Sequence, residues 1–143
     1  MTFILFGLVS CRRARPGDDA TSAATMARYQ QVQNQAESQG RKVLVQLSAD
    51  WCGDCRVFKR HLMNEEVLKI LSEKYILFEV DVGRFDTNLK VAEHFQNAID
   101  DGIPSVAVVS STGKILAVTN NGYFANARTM PATAISTFLL KFP

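Results

Sequence analysis

Three cysteines, two histidines and one tryptophan are all that 143 residues contain of these types. So few cysteines exclude a disulfide-dense scaffold. A closed zinc site needs about four ligands, and beyond the cysteines the obvious candidates are His61 and His94. No metal site is expected. No apolar run reaches the ~18–20 residues that a membrane-spanning helix needs. An excess of either charge is missing too: 16 Lys and Arg against 14 Asp and Glu leave a net of +2. Residues 1–24 hold Arg12, Arg13 and Arg15 against Asp18 and Asp19, so the remaining 13 bases and 12 acids leave +1. A nearly neutral body gives no electrostatic reason to expect a nucleic-acid partner. What is present is ordinary: 47% apolar and 21% charged residues, the proportions of a folded globular chain. The length fits one domain, or one domain with a short appendage.

The appendage is N-terminal. Residues 2–9, Thr-Phe-Ile-Leu-Phe-Gly-Leu-Val, are almost wholly apolar and end in Ser10-Cys11. An apolar stretch closed by small residues is the pattern of a secretory signal. Leu8-Val9-Ser10-Cys11 also resembles a bacterial lipobox, in which the cysteine becomes the lipidated first residue. The alternative is a frayed apolar terminus with an incidental cysteine. Residues 1–11 are therefore read as a signal or lipobox segment, 12–24 as a flexible tether of Arg, Pro, Gly, Asp, Ala and Ser, and 25–143 as the folded domain.

Within that domain, Met26, Tyr29, Val32 and Ala36 recur at helical spacing, with Gly40 as a stop. Val43-Leu44-Val45-Gln46-Leu47 reads as a strand buried on both faces. Val57, Phe58, His61 and Leu62 mark a second helix, and Val67, Leu68, Ile70 and Leu71 continue it after a break near Asn64. Residues 75–82 form a second strand. A helix through Leu89, Ala92 and Phe95 has Asp86 or Thr87 available as cap. Strands at 105–110 and 114–119 flank Ser111-Thr112-Gly113, which suits a hairpin. Ile135, Phe138, Leu139 and Phe142 form a last helical stripe, with Pro131 near its first turn. The order α-β-α-α-β-α-β-β-α predicts a three-layer α/β/α sandwich, with a parallel pair at the centre of a mixed sheet and antiparallel edges. The polar stretch 30–35 reads as a solvated helix face. The loop 120–128 either borders the functional site or merely connects.

The chemistry concentrates in Ala49-Asp50-Trp51-Cys52-Gly53-Asp54-Cys55-Arg56, between the first strand and a helix. Orphan backbone N–H groups and the positive end of the helix dipole favour a thiolate at that position, and the thiolate is the attacking species. Two intervening residues let the second sulfur reach the first after a mixed disulfide has formed. Cys52 is then the outer, attacking sulfur and Cys55 the resolving one. A purely structural bridge is the bland alternative, but closing so short a loop gains little.

This segment resembles the thioredoxin superfamily, whose usual active site is Trp-Cys-Gly-Pro-Cys; Asp54 replaces the proline here. Gly102-Ile103-Pro104-Ser105 resembles that family's loop with a cis proline beside the cysteines. Ser111-Thr112-Gly113-Lys114 resembles its hairpin turn, and Gly122 its late glycine. The resemblance spans residues from about 41 to 143. The preceding helix and residues 81–101 look closer to small bacterial exported thioredoxin-like proteins, often labelled disulfide isomerases.

The resemblance implies a thioredoxin-like sandwich that catalyses thiol–disulfide exchange through Cys52 and Cys55. Trp51, Gly53, Asp54 and Arg56 support the site, and the backbone around Ile103 and Pro104 receives an extended substrate segment. No bound cofactor is needed. The expected partners are protein thiols and disulfides and a redox partner protein. The protein is expected to be a monomer that meets a membrane only through a lipid on Cys11. Its expected place is the periplasm or envelope of a bacterium. A general cytosolic thioredoxin and a non-catalytic binding module are the alternative readings. One departure stands out: thioredoxins carry a buried Asp six residues before the first cysteine, and that position is Gln46. An amide is no general base near neutral pH, so water or another group serves, or the resolving step is slower. Asp54 would repel a thiolate on Cys52, which favours reducing over oxidising chemistry.

Overall fold

A computed structural model describes residues 17–143. The apolar leader, Cys11 and the first part of the tether lie outside the described residues. The elements run α1 (Asp18–Gln39), β1 (Lys42–Ser48), α2 (Gly53–Leu62), α3 (Glu65–Lys74), β2 (Tyr75–Asp81), α4 (Leu89–His94), β3 (Ser105–Val109), β4 (Ile115–Val118), a 3-10 turn (Ala127–Thr129) and α5 (Thr133–Leu139). This is the predicted order with one short turn added.

The sheet order is β2-β1-β3-β4. β1 pairs parallel with β2 and antiparallel with β3, and β4 closes the hairpin antiparallel to β3. The parallel pair is therefore present but not central. The chain returns through α4 to the far side of β1, so β3 becomes the inner neighbour and β2 an edge. β1 alternates between two cores, which is why its sequence is almost continuously apolar. Val43, Val45 and Leu47 join the core shared with Tyr29 and Ala36 of α1 and Val91 and Ala92 of α4. Leu44 joins the core with Phe58 and Leu62 of α2, Val67 and Leu71 of α3 and Ile135 and Leu139 of α5. Two helices on one face and three on the other make the expected three layers.

The caps follow local chemistry at α3, where the Asn64 side chain accepts from the N–H groups of Glu66 and Val67. At α5, Pro131 immediately precedes the N-cap residue Ala132. Tyr75 ties β2 to α5 by donating to the Leu139 carbonyl at 2.7 Å, and burial pushes its hydroxyl up to about 12.

Two features of α1 correct the sequence reading. Residues 18–24, expected within a tether, are its first two turns. Their buried positions are Asp18 and Ser22, polar residues that leave no apolar stripe to detect. Asp18 is held across the fold. Its carboxylate accepts the backbone N–H of Asn88 at 2.5 Å and of Leu89 at 3.3 Å, so it caps α4 in place of Asp86 or Thr87. Asn88 stands at the N-cap with positive φ and no capping bond from its own side chain. Gln33, expected on a solvated face, is also buried. Its amide donates to the carbonyls of Ser110 and Ser111 and accepts from Tyr29, clipping α1 to the β3–β4 hairpin.

Asp18→Ala is expected to leave two helix N–H groups without an acceptor. The cost should be about 1–3 kcal/mol, read as a lower urea midpoint at unchanged m-value. An unshifted midpoint would show that water caps α4 equally well.

Candidate functional site: a cysteine pair at a helix start

β1 ends at Ser48, and a tight turn closed by Cys52 N–H to the Ala49 carbonyl delivers Cys52 to the N-cap of α2. Cys52 is extended, with φ −79° and ψ 114°, which frees its side chain to serve the helix start. Its sulfur accepts the Cys55 backbone N–H at 3.1 Å. Cys52 and Cys55 are paired as a disulfide, with Cα atoms 5.2 Å apart. Cys52 is the more accessible of the two, at 6% against 1% exposure. An N–H donor and a helix dipole aimed at one sulfur stabilise negative charge there once the bond is reduced.

Opposite the pair, the Ile103–Pro104 peptide is cis, and the Ile103 carbonyl oxygen lies 3.6 Å from the Cys52 sulfur. Gly122 has φ +74°, and a Cβ there would meet the Asp101 carbonyl oxygen at 2.9 Å, so the late glycine is required by its surroundings.

Trp51 stands half exposed beside Cys52, fixed by contacts that the sequence did not disclose. Its indole N–H donates to the Gly83 carbonyl at 2.7 Å. Phe85 packs edge-on at 5.9 Å, and the Arg84 guanidinium lies 5.9 Å from the ring centroid. The loop after β2 is thus part of the site. Gly83 has φ +56°, and a Cβ there would come within 2.6 Å of both Asp86 and Thr87.

Asp54, mostly buried in the first turn of α2, accepts from the backbone N–H of Arg128 at 2.9 Å and from its guanidinium at 3.2 Å. The loop 120–128 therefore borders the site, and Arg128 is a residue that sequence reasoning missed. The only forward signal was the unusual length of that loop. Arg56 is exposed and donates to the Asp50 carbonyl at 3.3 Å. A Cβ at Gly53 would make ordinary contact with Arg128 at 3.7 Å, so bulk alone does not demand glycine there. His61 bonds the Met130 carbonyl at 2.8 Å, and His94 is exposed against the rings of Tyr29 and Phe95. Among the described residues, no three His, Cys, Asp or Glu side chains are grouped to hold a metal ion. No helix among them is long and apolar enough to cross a membrane.

Arg128 offsets the Asp54 carboxylate, so the repulsion expected from Asp54 is damped. The two charges remain separable by mutation. Asp54→Asn leaves Arg128 uncompensated and should raise the alkylation rate of reduced Cys52 at neutral pH, with a higher reduction potential. Arg128→Ala should do the reverse, each by roughly two- to fivefold in rate, since the exposed Arg128 guanidinium is screened by solvent and pairs with Asp54. Iodoacetamide kinetics on both variants checks the signs. Identical rates would show that solvent screens both groups.

The Thioredoxin-like family profile matches residues 24–111, more than half of the chain. A disulphide isomerase from Xylella fastidiosa superposes with a TM-score of 0.78 at 32% identity, over 82% of this chain and 89% of that one. Thiol:disulfide interchange protein DsbD of Actinobacillus pleuropneumoniae is 28% identical over 96 residues, 62% of this chain. The same-named protein of Colwellia psychrerythraea is 27% identical over 117 residues, 80% of this chain. This chain spans only 16% and 19% of the length of those two relatives. With a cysteine pair at a strand-to-helix junction, a cis proline facing it and these matches, the chain belongs to the thioredoxin-like family of thiol–disulfide oxidoreductases.

Proposed function

We propose that this protein reduces or isomerises disulfides of protein substrates outside the cytoplasm. The observation that carries the reading is the Cys52 sulfur at the start of α2, receiving the Cys55 N–H at 3.1 Å with Ile103 alongside. In the reduced protein the Cys52 thiolate attacks one sulfur of a substrate disulfide. A mixed disulfide forms and the other substrate sulfur leaves as a thiolate. Cys55 then loses its proton and attacks the Cys52 sulfur. The Cys52–Cys55 bond forms and the second substrate sulfur departs, so the substrate gains two electrons and the pair loses two. A reduced thiol protein restores the pair, and no bound cofactor enters the cycle. In isomerisation a thiolate of the substrate itself displaces Cys52 before Cys55 acts. The Ile103 backbone pairs with an extended substrate segment, and Trp51 with Phe85 and Arg84 shapes the surface around it.

The extracytoplasmic address rests on the apolar segment 2–9 and the lipobox-like Leu8-Val9-Ser10-Cys11. Cys11 is the attachment point, and the folded domain acts as a monomer. Acyl labelling and fractionation of the full chain test this address; label-free protein in the cytosolic fraction would reject it. The activity itself is tested by insulin reduction with dithiothreitol as electron donor. Catalysed precipitation of the insulin B chain is expected, and a rate equal to dithiothreitol alone would make the fold a binding module.

A further inference from the structure

The resolving step needs a proton acceptor, and the residues under α2 point to one. Gln46, in the middle of β1, is 0% exposed, and neither its Oε1 nor its Nε2 has a hydrogen-bond partner. Leaving a buried polar atom without a partner is costly, and two in one amide mark a place where a small polar partner belongs. The residue beside Gln46 in the parallel ladder is Glu79 of β2, so the two side chains share one face of the sheet. That is the face α2 covers, since Leu44 packs with Phe58 and Leu62. Glu79 accepts from Ser48 at 3.2 Å and from the Lys59 ammonium at 2.5 Å. Lys59 follows Cys55 by one helical turn and lies on the same side of α2. The Glu79 and Lys59 side chains are 45% and 40% exposed, whereas Cys55 is sealed from solvent.

A buried thiol, a buried amide with two unused polar atoms and a solvent-reaching carboxylate thus lie under one helix. We infer that Glu79 is the terminal proton acceptor for Cys55, reached through a water held on the Gln46 amide. This rests on the reading that Cys52 attacks and Cys55 resolves. The Cys55 proton passes to the water, which gives one of its own to the Glu79 carboxylate. The Cys55 thiolate forms its bond to the Cys52 sulfur, and the bond from Cys52 to the substrate sulfur breaks with its electron pair leaving on the substrate. Glu79 then returns its proton to solvent. Lys59 holds the Glu79 carboxylate in place between turnovers. Glu79 and Gln46 are positioning residues, since they act on the sulfur through the water.

Reduced full-length Cys11→Ala protein, in which Cys52 and Cys55 are the two remaining thiols, mixed with dithiobis(nitrobenzoate) in stopped flow reports both steps. The first coloured thiolate released reports attack by Cys52, and the second reports resolution by Cys55. A general base is worth roughly 10²–10⁴-fold, and solvent recovers part of that at a half-exposed group. Glu79→Gln should therefore slow the second release at least about tenfold relative to the first, and Glu79→Asp should restore most of it. Gln46→Leu should slow the second release without lowering the denaturation midpoint, because an apolar side chain of similar size takes the place of the buried amide and its water. A structural defect moves both readouts down together. Second-phase rates within about twofold of the parent in both Glu79→Gln and Gln46→Leu would overturn the relay. Failure of the exchange reading looks different: the parent releases no second thiolate, or Cys55→Ser still releases it.

Discussion

Cys52→Ser is expected to reduce insulin turnover to the uncatalysed rate, while Cys55→Ser should accumulate mixed disulfides with its substrates. The asymmetry follows from position. Cys52 is the accessible sulfur, with an N–H donor and the start of α2 behind it. A hydroxyl there has no nucleophilicity of comparable strength at neutral pH. Cys55 is buried one turn further in, packed in the core with its sulfur paired to Cys52. Removing it leaves the first attack intact and blocks the intramolecular escape. Non-reducing gels of Cys55→Ser protein from the native host should show bands of higher mass that vanish on adding dithiothreitol. Their absence would overturn the role assignment, and their appearance with Cys52→Ser instead would reverse it. The double variant should show neither turnover nor adducts.

The second large effect concerns stability. Phe124→Ala should cost about 3–5 kcal/mol, as for other buried Phe truncations. Phe124 is almost fully buried, with its ring 5.1 Å from Phe58 of α2 and 5.3 Å from Phe138 of α5. No other side chain of the loop 120–128 bridges those two helices through paired aromatic contacts. It also anchors the approach to Arg128, which holds Asp54. The variant should therefore melt roughly 10 °C or more below the parent, and its Cys52 reactivity should shift toward that of Arg128→Ala. Phe124→Leu, which keeps most of the volume, should recover over half of the loss. A Phe124→Ala protein with the parent melting temperature would show that the loop collapses onto the gap at no cost.

Much of the architecture was legible because it is written locally. The continuous apolar run at 43–47 is the mark of a strand covered on both faces, and β1 does alternate between two cores. Asn64 sits where the periodicity of the second helix breaks, and it caps α3. The cysteine pair needs only its own neighbours to occupy a helix start. Alternation and capping extend over a few residues, so a single sequence displays them.

Other readings failed for one shared reason. A polar side chain is buried when a partner from a distant segment satisfies it, and nothing nearby in the sequence records that partner. Asp18 looks like part of a tether until Asn88 and Leu89, 70 and 71 residues away, supply N–H groups for its carboxylate. Gln33 looks solvated until the hairpin 77 residues on presents two carbonyls. Asp54 looks like a bare charge beside the thiolate until Arg128, 74 residues on, closes over it.

The sequence by itself therefore determined the order of elements, the helix-start cysteine pair and the family it resembles, since each depends on spacing within a single turn, strand or motif. Tertiary structure alone decided that β3 lies inside the sheet, that the Gly83 loop holds Trp51, and that Glu79 stands beside Gln46 under α2. Those facts depend on which distant segments meet, and the net free energy of packing the whole chain chooses that, not the preference of any one stretch.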